Sequence, residues 1–341
     1  MNKSKNLEVV LKGTTAYYEA LVPEIKRRLN SGKLVFVNYS LPGGCQYNCL
    51  KCFAGGSKAY AAQLKKRGIA LTKFDESASK KLIREAYLLG TRSVIVAGAG
   101  EPLLSPKLDL LVQTCSELEG MHLIVFTNGL LLDKKKAEEF FSNGVSIVFT
   151  LDSISEKNYD QLTGTAGNFK TVLRNFKQAL VLSEKYSKTQ ACYKVVPLAV
   201  NTNPSLLVYR PKEGVNELKK IHELIDRRAT HFVFHITPNS NAIRNWRELV
   251  GTSDFSPNPL LKETEKIYSS GLGGSSKRKD GKCGYLYNGV SLFEGHWMLC
   301  PNFGQVLDLG RYPEKSVKQH FEEKKEILRK KGLPLCITRK E

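Results

Sequence analysis

The segment Cys45-Gln-Tyr-Asn-Cys49-Leu-Lys-Cys52 sets three thiols at the spacing C-x3-C-x2-C and is followed by an aromatic, Phe53. It comes directly after a strand predicted over Lys33–Leu41. Iron–sulfur clusters take thiolate ligands from short Cys runs of this kind, and three thiolates leave one iron of a four-iron cubane open to a further ligand. An open iron points to chemistry rather than electron storage. Zinc knuckles favour paired C-x2-C units and electron carriers supply a fourth Cys close by. Neither pattern occurs in this loop.

Outward from that loop, β-branched runs alternate with helix-period segments. Strands are predicted at Lys33–Leu41, Arg92–Ala97, His122–Thr127, Val145–Asp152, Cys192–Asn201 and His231–Thr237, with helices near 75–90, 107–119, 133–143, 170–186 and 214–229. Six strands each followed by a helix make an α/β fold, a parallel, right-handed, partial (β/α)6 TIM-like barrel. Sites in such barrels gather at the C-terminal strand ends. The Cys loop, Ala97-Gly-Ala-Gly-Glu-Pro102, Thr127-Asn-Gly129 and Leu151-Asp-Ser153 all fall at those ends. On strand 4, period-2 alternation sets Ile147, Phe149 and Leu151 toward the helices and Thr150 and Asp152 toward the lumen. On strand 6 the same reasoning gives Phe232, Phe234 and Ile236 to the helices and Val233, His235 and Thr237 to the lumen, making His235 the candidate catalytic side chain.

Composition narrows the setting. With 341 residues and 41 % hydrophobic content, the chain accommodates one barrel and a small appendage. No stretch reaches the ~20 apolar residues of a membrane span, and the N-terminus has no apolar h-region. Eight cysteines without a secretory signal read as metal ligands and core thiols of a cytoplasmic protein. Cys115 is the clearest core thiol, since Leu108, Leu111, Val112 and Cys115 follow a helical stripe. A net charge of +19 favours an anionic partner: a phosphorylated or acidic substrate, an acidic reductant such as flavodoxin, or nucleic acid. Lysines spread over helix faces make nucleic acid the minority reading.

The Cys loop, the Gly-Ala-Gly-Glu-Pro turn and the strand-4 stretch together resemble the radical S-adenosylmethionine (radical SAM) superfamily. The resemblance implies a [4Fe-4S] cluster on Cys45, Cys49 and Cys52, whose open iron takes the amino and carboxylate groups of SAM; one-electron reduction then yields a 5′-deoxyadenosyl radical. It implies SAM contacts from Gly98, Gly100 and Glu101, although Ala99 departs from the family's Gly-Gly-Glu-Pro pattern. Asn128, Asp152, Ser153 and Asn201 are the further implied SAM contacts. The strand-4 signature continues through Tyr159, Leu162, Thr163, Gly164, Gly167 and Phe169, where polar residues are expected on the ribose and methionine moieties.

A Gly/Ser-rich run at 269–282 reads as a linker. Beyond it, Cys283, Cys300 and Cys336 are arranged as Cys, hairpin, Cys-Pro, helix, Cys. That order resembles the twitch and SPASM auxiliary-cluster modules and implies a second [4Fe-4S] cluster, one Cys short of a full set. The expected organisation is an N-terminal helical extension at 1–32, the barrel at 33–268, the linker, and a cap at 283–341. The function expected is hydrogen abstraction from a substrate C–H bond, with oxidation of a hydroxylated small molecule such as an aminocyclitol or sugar as the outcome. The alternatives are an epimerase, a peptide maturase, a nucleotide-rearranging cyclase, and a non-catalytic iron–sulfur or nucleic-acid-binding protein.

Overall fold

A computed structural model describes residues 28, 31–41, 44–49, 52, 65, 75–97, 100–189, 197–202, 211–225, 228–233, 287–293, 295–299 and 308–331. In chain order the elements that build the fold are β1 (Phe36–Ser40), α1 (Glu76–Leu88), β2 (Ser93–Val96), α2 (Lys107–Ser116), β3 (His122–Thr127), α3 (Lys134–Ser142), β4 (Ser146–Thr150), α4 (Glu156–Thr163), α5 (Phe169–Thr189), β5 (Leu198–Thr202), α6 (Pro211–Ile225) and β6 (Thr230–Val233). The remainder are β7 (Gly289–Phe293), β8 (His296–Met298), β9 (Asp308–Arg311) and α7 (Val317–Lys331). Helix starts are set locally. Asp75 accepts from the Ser77 N–H at the head of α1, and Asp133 accepts from the Lys136 N–H at the head of α3.

The strands form one sheet in the order β6-β5-β4-β3-β2-β1-β7-β8-β9. Pairing is parallel from β6 through β1 to β7, then antiparallel from β7 to β9. The six parallel strands and intervening helices are those expected of a partial barrel. Val37, Val94, Val96, Leu123, Val125, Ile147, Phe149, Leu198 and Val200 pack in one buried cluster with Leu82, Ile83, Leu111, Phe140, Val172, Phe176 and Ile221 of the helices. Cys115 sits within that cluster, and burial pushes its thiol up to about 12. The alternate positions Phe36, Asn38, Ile95, Ile124, Val148 and Ala199 line the opposite, concave face and are buried as well.

Two features differ from the sequence expectation. The segment expected as a separate cap contributes β7, which pairs residue for residue with β1, Phe36 opposite Gly289 and Ser40 opposite Phe293. Gly289 is required there: an added Cβ would lie 2.3 Å from the Phe36 ring. The join is reinforced by the Val35 N–H donating to the Asn288 carbonyl, the Asn288 amide donating to the Lys33 carbonyl, and the buried Lys324 ammonium of α7 donating to the Gly289 carbonyl. The second difference is on β6, where Asn201 pairs with Phe232 and Thr202 with Val233. Position 232, not 233, is therefore in register with the lumen position Asn201, inverting the expected alternation. A lumen packed with bulky side chains does not distinguish the two faces by hydrophobicity.

Among the described residues no helix is long and apolar enough to cross a membrane. The extension at 14–27, the linker, Cys192, His235, Gly98, Cys283, Cys300 and Cys336 lie outside the described residues.

Candidate active site

Four strand ends meet above the concave face, and the hydrogen bonds between their loops define the site. The Glu101 carboxylate, 4 % exposed, is the junction. It accepts from the Thr127 hydroxyl at 2.7 Å, the Leu103 N–H at 3.1 Å and the Asn128 N–H at 2.8 Å. The Glu101 N–H donates to the Gly44 carbonyl at 3.1 Å, so one residue ties the Cys loop to the turns after β2 and β3. Burial pushes its carboxyl up to about 7, opposed by those three donors, which suit the ionised form. This side chain, an implied SAM contact, is turned into the protein and holds the loops; Gly100 directly precedes it.

A second clamp grips the Cys loop from the other side. The Tyr159 hydroxyl of α4 donates to the Tyr47 hydroxyl at 3.1 Å, with the rings edge to face. Tyr159 in turn packs on Phe169. The Thr163 carbonyl accepts the Asn48 N–H at 2.9 Å. Gly164 ends α4 at φ +64, where an added Cβ would lie 2.7 Å from the Asn48 carbonyl oxygen. Burial pushes the Tyr47 phenol up to about 12, and Tyr159 higher still. Tyr159, Thr163 and Gly164 thus hold the Cys loop.

Within the loop, the Cys52 N–H donates to the Cys49 carbonyl at 3.0 Å, and Cys45, Cys49 and Cys52 are half-buried thiols outside any disulfide. Burial, joined by the charges of Glu101 and Cys52, pushes the Cys45 thiol up to about 11 against the opposing Tyr47 N–H and Asn128 amide. Such a thiol needs a cation beside it to ionise. Among the described residues no three His, Cys, Asp or Glu side chains converge on one ion-sized point. The thiolates of a cubane each take a separate iron, so they need not meet at one point.

On β4 and β5, Asp152 is buried at the turn after Thr150, close enough for its charge to raise Tyr159. Ser153 is fully buried and committed: its hydroxyl donates at 2.8 Å to Glu217 of α6, which also accepts the Ile154 N–H at 2.8 Å. Ser153 is thus an anchor for the loop. The Asn201 amide reaches Thr150 Oγ1 at 3.5 Å, while its Oδ1 is buried without a partner among the described residues. Gln46 Nε2, beside Cys45, is likewise buried and unpartnered. An orphan acceptor and an orphan donor, together with three thiols, fit a cluster and a SAM molecule that carries carboxylate, amine and hydroxyl groups. Gln46, Tyr47 and Glu217 had no distinguishing sequence signal, because their roles arise only from loops meeting in space.

Residues 39–183 match the model of the radical SAM superfamily, a family that implies a [4Fe-4S] cluster and SAM. Among curated proteins, the chain is 28 % identical over 181 residues to a probable GTP 3′,8-cyclase of Methanococcus vannielii, covering 52 % of this chain and 58 % of that one. It is 22 % identical over 269 residues to the Fe-coproporphyrin III synthase of Methanosarcina barkeri, covering 78 % of this chain and 61 % of that one. The chain thus spans less than two thirds of either relative. Among solved structures it resembles Streptococcus suis SuiB bound to precursor peptide SuiA (TM-score 0.55, 15 % identity, 94 % of this chain and 72 % of that one). It also resembles native anSMEcpe with bound AdoMet (TM-score 0.55, 16 % identity, 86 % of this chain and 82 % of that one). At these identities the two structures speak to the fold alone.

Proposed function

We propose that Cys45, Cys49 and Cys52 hold a [4Fe-4S] cluster that binds SAM, and that the enzyme abstracts a hydrogen atom from an anionic small-molecule substrate bound in the lumen. The observation that carries this reading is the double clamp on the Cys loop, Glu101 on one side and Tyr159 with Gly164 on the other, which holds three thiols above the concave face. When bound, the cluster and SAM supply a 5′-deoxyadenosyl radical after one-electron reduction. The chain's own residues shape its surroundings: Asn201 and Asp152 offer polar groups at the ends of β5 and β4, Gln46 offers a donor, and the apolar lumen side chains exclude water.

The anionic character of the substrate is supported by the net charge of +19 and by the curated relatives, whose names specify a nucleoside triphosphate and an iron coproporphyrin. The same charge suits an acidic one-electron donor such as flavodoxin. An oxidative outcome, with a hydroxylated compound as substrate, follows if Cys283, Cys300 and Cys336 hold a second cluster able to accept the substrate's electron. A peptide substrate is the second reading, since SuiB, which shares the fold, binds a precursor peptide.

Anaerobic reconstitution with iron and sulfide, followed by SAM and dithionite, tests the reading. About four irons per cubane and release of 5′-deoxyadenosine are expected, with about eight irons if the auxiliary cluster forms. Cys49→Ala should abolish 5′-deoxyadenosine formation; unchanged formation removes this loop from the chemistry.

A further inference from the structure

Asn128 is held more tightly than a turn residue requires. Its N–H donates to Glu101 Oε2 at 2.8 Å and its Oδ1 accepts the Leu130 N–H at 3.0 Å. A backbone N–H only donates, so the amide oxygen must face Leu130 and the NH2 group must face the other way. That NH2 group has two hydrogens and two neighbours: Gln46 Oε1 at 3.2 Å and Cys45 Sγ at 3.7 Å. The turn is anchored from below. Gly129, at φ +79, lies where an added Cβ would meet the Phe149 ring at 1.9 Å, and the Asn175 amide donates to the Gly129 and Leu130 carbonyls at 2.9 and 3.0 Å. The N–H···S contact is therefore fixed by five other hydrogen bonds and a packed aromatic.

We propose that the Asn128 amide donates to the Cys45 thiolate and thereby sets the reduction potential of the cluster that the thiolate holds, with Glu101 as the positioning residue that fixes the donor. Given that Cys45 ligates an iron, the reading proposed above, a donor on its sulfur stabilises the more negatively charged reduced cluster and raises its potential. The electron itself comes from a low-potential one-electron donor, and no proton is transferred.

The test is the midpoint potential of the reconstituted cluster, followed by EPR in a dithionite titration without SAM. Asn128→Ser keeps an oxygen for the Leu130 N–H but is too short to reach Cys45, and it adds no charge. The expected result is wild-type iron content with the midpoint potential moved lower. An unchanged potential at wild-type iron content overturns the inference. If Asn128→Ser does not hold its cluster, Glu101→Asp is read instead; it keeps the carboxylate charge but is too short to hold the Asn128 N–H, and should move the potential in the same direction, and no movement there overturns the inference too. A wild-type protein that takes up no iron overturns the assignment of Cys45 as a ligand, a failure distinct from an unmoved potential.

Discussion

Gly164→Ala tests whether α4 holds the Cys loop in place. The substitution has two calculable costs. At φ +64 an alanine sits in the left-handed region, at about 1–2 kcal/mol. Its Cβ would also lie 2.7 Å from the Asn48 carbonyl oxygen. That peptide must move by several tenths of an ångström, straining the 2.9 Å bond from the Asn48 N–H to the Thr163 carbonyl, which contributes about 1 kcal/mol. The total of about 2–3 kcal/mol corresponds to a roughly 30- to 150-fold shift toward an unclamped loop. The assay is the half-time of iron release to a chelator from the anaerobically reconstituted protein, alongside urea unfolding. Faster release is expected, exceeding any shift in the urea midpoint. Gly164→Asn should recover part of the loss, since Asn tolerates the left-handed region, but the contact with Asn48 remains. Release at the wild-type rate in Gly164→Ala would refute the clamp.

Two other substitutions probe the C-terminal part of the sheet. Gly289→Ala puts a methyl against the Phe36 ring and should lower the urea midpoint by an amount equivalent to about 1–3 kcal/mol, with Phe36→Leu in the same chain restoring most of it. His320 is fully buried, stacked on Trp297 at 4.4 Å, and has neither ring nitrogen hydrogen-bonded among the described residues. Burial, then the charges of Lys324 and Lys315, depress it to about 2. Above pH 6.5 it is neutral in both states and contributes no pH dependence. Below that the unfolded chain takes a proton the fold refuses, so this residue makes unfolding more favourable by up to about tenfold per pH unit as pH falls toward 2. His320→Phe keeps the stack and should flatten the pH 4–6.5 part of a urea-midpoint profile; an unaltered slope would remove His320 as its source.

The parallel sheet was legible because each strand is a β-branched or aromatic run bounded by turn residues, and β3 lies where it was expected, His122–Thr127. β7 was not. Gly289-Val-Ser-Leu-Phe293 reads equally as the arm of a local hairpin, and only the Gly289 gap opposite Phe36 shows that it belongs beside β1. The register of β6 was illegible for a related reason: the sequence His231-Phe-Val-Phe-His235 carries apolar residues at both parities, and it is β5 that pairs Asn201 with Phe232. In the site, the cysteine spacing announced itself, whereas Glu101 and Ser153 were expected on the cofactor. A motif identifies which residues gather at a strand end; which of them faces a ligand and which faces Thr127 or Glu217 depends on loops far apart in sequence.

The Asn288 amide and the Lys33 carbonyl that it meets are 255 residues apart. During synthesis β1 therefore leaves the ribosome long before its partner on that side. At about 5–20 residues per second, the interval between the two strands is roughly 10–50 s. Through that interval the strand leading into the cysteines keeps one edge unpaired, the kind of edge that recruits other chains. The nascent chain is thus most exposed to misassociation beside its three thiols, and iron delivered after β7 has docked reaches a loop whose supporting strand is bonded on both sides.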